Sequence, residues 1–128
     1  LAGTTASSPP EPAAVEPPPI DFDRLREITD HDPALLKEVI ELYLAQADET
    51  IPALAAAVQS GAGPAVVELA HRLGGASSTC GMTAIVAPLR ELEQMGAEGR
   101  LAEARVALEQ ARRAQARIRE SLQTLPSR

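Results

Sequence analysis

Residues 32–63 read DPALLKEVIELYLAQADETIPALAAAVQSGAG. Leu36, Ile40, Tyr43, Ala47, Ile51, Leu54 and Val58 recur in steps of three and four, an amphipathic stripe about 25 residues long. Asp32 is a good helix cap, and Pro33 carries a backbone angle already suited to a first turn. Pro52 falls inside the stripe. Its missing N–H removes one backbone hydrogen bond and predicts a kink near Asp48. The stripe keeps its phase across Pro52, so one kinked helix fits better than two. Gly61-Ala62-Gly63-Pro64 closes this helix and opens another. A helix of this length with a single apolar side needs other helices to cover it.

Those partners can be read outward from the stripe. Val66, Leu69, Ala70, Leu73, Ala76 or Ser77, and Cys80 form the next apolar side, with Gly81 as a C-cap. A third long helix is predicted from Thr83 to Met95, with Ile85, Val86, Leu89, Leu92 and Met95 inward and Pro88 in its early turns. Gly96-Ala97-Glu98-Gly99 makes the following turn. The last helix carries Leu101, Ala104, Leu108, Ala111, Gln115, Ile118, Leu122 and Leu125, and Pro126 ends it. Upstream, Asp21 to Thr29 predicts a short helix with Phe22, Leu25 and Ile28 on one side, then a turn at Asp30-His31. No segment reads as a strand. The predicted fold is all-α: an antiparallel up-down four-helix bundle with a short extra N-terminal helix, spanning residues 20–126.

Residues 1–19 hold six of the eleven prolines and almost no large apolar side chain. Such a segment reads as a flexible, semi-rigid linker. The chain begins at Leu1 without Met, so a piece of a longer or processed protein is expected. Phe22 and Tyr43 are the only aromatics, which makes the expected core aliphatic. The net charge of −6 argues against a general nucleic-acid or anionic-membrane binder. One cysteine, Cys80, forbids an internal disulfide and a thiolate zinc site. No apolar run approaches the roughly 18 residues of a membrane span.

One stretch departs from plain packing: Ala70-His71-Arg72-Leu73-Gly74-Gly75-Ala76-Ser77-Ser78-Thr79. Each mid-helix glycine costs roughly 1 kcal/mol relative to alanine. Helical spacing puts His71, Gly75 and Ser78 on one face, with Gly74 at its edge. The imidazole then projects from a surface cleared of bulk, where a second protein could bring its own site. The plain alternative is a surface histidine without chemistry, beside glycines that serve helix packing. Cys80 and His71 fall on opposite faces, roughly 13 Å apart along the axis, so a thiol–base pair fails. Ser78 lies roughly 10 Å along the axis from His71, too far for a hydrogen-bonded base. Glu68 would be the lone carboxylate near His71 on its helix, which makes no metal set. His31 reads as a solvated turn residue. No phosphate loop, dinucleotide fingerprint or nucleophile elbow is present.

At these residues the chain resembles the histidine-containing phosphotransfer (HPt) domains of bacterial phosphorelays. The family motif is an Ala-His pair, an apolar residue two after the His, a Lys-Gly pair, small residues and a helix-ending Gly. Here it stands as Ala70-His71-Arg72-Leu73-Gly74-Gly75-Ala76-Ser77-Ser78-Thr79-Cys80-Gly81, followed by Leu89-Arg90-Glu91-Leu92-Glu93. The resemblance covers about residues 20–125. One departure is plain: the family's usual Lys, whose ammonium lies near the phosphoryl group, is Gly74 here. Arg72 points about 100° away from His71. Arg90 or another basic group is an alternative source of that charge.

The resemblance implies a phosphocarrier. His71 would accept a phosphoryl group from a receiver-domain aspartate and pass it to another receiver, with Arg72, Gly74, Gly75 and Ser78 around the phosphoryl group and the docking surface. It implies no cofactor or metal in this domain, with Mg²⁺ brought by the receiver. Implied partners are response-regulator receiver domains in cis and in trans, with no nucleic acid and no direct membrane contact. The isolated domain is expected to be a monomer without an ATP site. The parent chain is expected to be a hybrid sensor histidine kinase, with this domain in the cytoplasm and the parent free or anchored in an inner membrane. The alternative function is a non-catalytic helical adaptor that binds a receiver without transfer.

Overall fold

The computed structural model describes residues 18–124. The proline-rich segment up to residue 17, and the expected helix end at Leu125 and Pro126, lie outside the described residues. The helices are α1 (Phe22–Ile28), α2 (Pro33–Ser60), α3 (Gly63–Cys80), α4 (Thr83–Glu98) and α5 (Ala104–Gln123). A single 3₁₀ turn, Leu101–Glu103, leads into α5. No strand occurs among the described residues.

Their ends follow from local chemistry. Asp21 caps α1 by accepting from the Arg24 amide at 3.1 Å. Asp32 caps α2 by accepting from the Ala34 amide at 3.0 Å, and Pro33 occupies the first turn. Between them, Asp30 and His31 take left-handed angles, φ 56° and 55°. α4 has no side-chain cap. The Pro19 carbonyl accepts from the Ala84 amide at 3.1 Å instead, and Ile20 is buried beside it. The Asp21 amide then donates to the Gly81 carbonyl at 2.7 Å, so the chain before α1 straps the α3–α4 turn. Gly81 is left-handed at φ 78°, and a Cβ there would lie 2.7 Å from the Asp21 carbonyl oxygen. Only glycine meets both demands.

The long helices form a closed ring, in which α2 and α4 each pack against both α3 and α5. The core is aliphatic: Leu54, Val66, Leu73, Ile85, Leu89, Leu92 and Ile118 are all fully buried. Polar groups enter it too: the Tyr43 hydroxyl shares a 2.7 Å hydrogen bond with buried Ser77 Oγ and ties α2 to α3. Burial pushes the Tyr43 phenol up to about 12, and the Ser77 bond opposes that shift.

Two boundaries differ from the sequence-based expectation. α4 does not stop at Met95 but runs through Gly96 to Glu98. Gly96 is a packing residue: a Cβ on it would stand 3.0 Å from the Gly63 carbonyl oxygen and 3.1 Å from Val66 and Val67. The start of α3 crosses α4 so closely that neither glycine can carry a side chain. Leu101 lies in the 3₁₀ turn rather than in the last helix. α2, by contrast, continues through Pro52 as one helix.

Candidate functional site

α3 is anchored on one side by Ala70, Leu73 and Ser77, all buried. His71 therefore turns outward, and its side chain is 69% exposed. It is not left free to rotate. Nδ1 lies 2.9 Å from Glu93 Oε2, which reaches over from α4. A carboxylate offers only lone pairs, so Nδ1 must donate. In the neutral ring the remaining lone pair then sits on Nε2. The other oxygen, Glu93 Oε1, accepts from Arg90 Nη1 at 3.4 Å. One carboxylate thus joins the imidazole to a guanidinium.

The two adjacent glycines play different parts. A Cβ on Gly75 would meet nothing within 4 Å. Its lack of a side chain answers to no neighbour within the described fold. Gly74 is buried, and a Cβ there would lie 3.3 Å from Arg90 Nη1 and 3.7 Å from Leu89 Cβ. Gly74 thus faces α4, while Gly75 and exposed Ser78 share the open side with His71. Arg72 is exposed and pairs along α3 with Glu68 at 3.3 Å.

Glu93 is the residue whose role sequence reasoning missed. Its signal was the turn between α3 and α4. Helices of equal rise leave that turn together. Counting ten residues back from Gly81 reaches His71, and counting eleven forward from Met82 reaches Glu93.

Among the described residues, other groups offer no competing site. No set of three His, Cys, Asp or Glu side chains suited to a metal occurs among the described residues. Cys80 is half-buried at the end of α3, and burial raises its thiol above the usual range, away from the reactive thiolate. His31 is exposed in the left-handed turn between α1 and α2. No described helix is long and apolar enough to cross a membrane.

Among the described residues, the helical bundle presents one exposed imidazole, held by Glu93 and joined through it to Arg90. The chain belongs to the Hpt domain family, whose model matches residues 38–127. Among solved structures, it is similar to the histidine-containing phosphotransfer protein B (HptB) of Pseudomonas aeruginosa PAO1. The TM-score is 0.76 at 25% identity, covering 87% of this chain and 100% of that one. No curated protein matches the chain. Hpt domains are phosphocarriers of phosphorelays, without a catalytic site of their own, and they interact with response-regulator receiver domains.

Proposed function

We propose that His71 carries the phosphoryl group. Nε2 attacks the phosphorus of an aspartyl phosphate on a receiver domain. The new N–P bond forms as the acyl O–P bond breaks, and the aspartate leaves as a carboxylate. Nδ1 keeps its proton throughout, so the phosphorylated ring is cationic and faces the Glu93 carboxylate. The reverse displacement delivers the group to a second receiver's aspartate. Such transfer is dominated by positioning and charge neutralisation. Here the domain supplies an oriented nucleophile, and the receiver supplies Mg²⁺.

The observation that carries this reading is the exposed imidazole, fixed through Nδ1, beside a Gly75 with empty space above it. Gly75 and Ser78 make room for a receiver. The same chemistry fits receivers in cis or in trans, and a place within a hybrid sensor histidine kinase, with the domain acting as a monomer. Radiolabel transfer from a phosphorylated receiver to wild type and His71→Gln tests the assignment. We expect an acid-labile, alkali-stable adduct on wild type alone. Equal labelling of both proteins overturns the choice of His71. Receiver binding without labelling of either would instead mark a non-catalytic adaptor.

A further inference from the structure

Arg90 belongs to α4, yet its guanidinium rests on α3. A Cβ on Gly74 would lie 3.3 Å from Nη1 and 3.6 Å from Cζ, so the group occupies space that the glycine leaves bare. Gly74 follows His71 by three residues, one turn along the same helix. Nη1 also donates to Glu93 Oε1 at 3.4 Å, while Oε2 of that carboxylate holds His71 Nδ1 at 2.9 Å. Imidazole and guanidinium are therefore one carboxylate apart. The Arg90 side chain is 46% exposed, so it can turn toward an incoming group.

On the reading that His71 is the phosphoacceptor, we infer that Arg90 is the cation that neutralises its phosphoryl group, delivered from α4 across the gap at Gly74. A phosphoryl group brings a charge near −2 and three acceptor oxygens. On His71 it would stand close to the Glu93 carboxylate, and like charges so near each other need a counter-charge. A guanidinium has five N–H donors in a planar fork and can hold Glu93 and phosphoryl oxygens together. Arg72 is the other arginine near His71 in sequence. It points about 100° away from His71 and is paired with Glu68. Gly74 has a matching role, because a long side chain there would compete with the guanidinium, which lies 3.3 Å from where its Cβ would stand.

Chemical phosphorylation tests this without a receiver. With phosphoramidate, Nε2 forms the N–P bond as the donor's P–N bond breaks and ammonia leaves. Wild type, Arg90→Gln, Gly74→Leu and the double variant Gly74→Lys with Arg90→Gln are compared. Circular dichroism checks that each is folded. We expect Arg90→Gln to label about tenfold more slowly and to lose the phosphoryl group faster. In ³¹P spectra its phosphoryl group should titrate at higher pH, a shift that a merely structural role would not produce. The double variant should recover most of the loss, because its ammonium returns the charge from α3. Gly74→Leu keeps Arg90 but displaces it, and should resemble Arg90→Gln. It carries the test if Arg90→Gln fails to fold. Wild-type rates and an unmoved ³¹P titration in Arg90→Gln would overturn the role of Arg90 and leave His71 standing. A wild-type chain that takes no label on His71 would overturn both.

Discussion

Gly75 is the position where the stability of the isolated domain and the transfer function should pull apart. It sits inside α3, without a positive φ, and an added Cβ would touch nothing within 4 Å. Gly75→Ala therefore meets no steric penalty. It removes backbone freedom from the unfolded chain and improves helix propensity, worth about 0.5–1 kcal/mol. In a domain of this size that should raise Tm by about 3–5 °C. Gly75→Leu keeps most of that propensity but fills the space next to His71. We expect it to stay fully helical and to lose at least about tenfold in transfer rate from a phosphorylated receiver, since a misplaced attack geometry alone is worth about 10²-fold. Thermal melts followed by circular dichroism give the first quantity, and labelling time courses give the second. A destabilised Gly75→Ala would refute the claim that no internal contact requires this glycine. An unchanged transfer rate in a folded Gly75→Leu would refute the claim that a partner does.

Three further outcomes follow from other contacts. Glu93→Gln removes the charge that faces the ring cation formed on transfer, so labelling should slow by about three- to tenfold while Tm moves little; an unchanged rate would mean that Glu93 does not assist His71. Gly81→Ala combines a left-handed backbone with a Cβ 2.7 Å from the Asp21 carbonyl oxygen, whereas Gly61, at φ 74°, has nothing within 4 Å. Urea denaturation should therefore show Gly81→Ala costing about 2–4 kcal/mol and Gly61→Ala about 1 kcal/mol, the strain alone. Tyr43 is the only tyrosine and there is no Trp, so near-ultraviolet tyrosinate absorbance reads one group. Its phenol is pushed up to about 12 in the fold, from about 10 in the unfolded chain. Its stabilising effect is complete below about pH 10 and is lost as the pH rises through the folded value, by about 1.4 kcal/mol per unit. The absorbance midpoint of the folded protein should lie near 12, and a midpoint near 10 would mean an exposed phenol.

Much of the bundle was readable because helical periodicity is a local signal. The stripe from Leu36 to Val58, the caps at Asp32 and Gly61, and the outward face of His71 all depend on residues within a few turns of one another. The misplaced features depend on a second helix. Gly96 looks like a turn residue until Gly63 is seen against it, and then it is a crossing point inside α4. Gly74 and Gly75 are indistinguishable as letters, yet one is covered by Arg90 and the other is open. Glu93 reads as part of a Leu-Glu pattern, because its contact with His71 exists only once α3 and α4 are set side by side. Arg90 was one of several cations within plausible reach, and interhelical packing singles it out.

The central claim is that a fixed imidazole offers Nε2 as the nucleophile. The chain has two histidines, so ¹⁵N-histidine spectra of the phosphorylated domain can resolve both rings. One-bond ¹⁵N–³¹P coupling should place phosphorus on Nε2 of His71, with Nδ1 still protonated. Phosphorus on Nδ1 of that ring, or on His31, would contradict it.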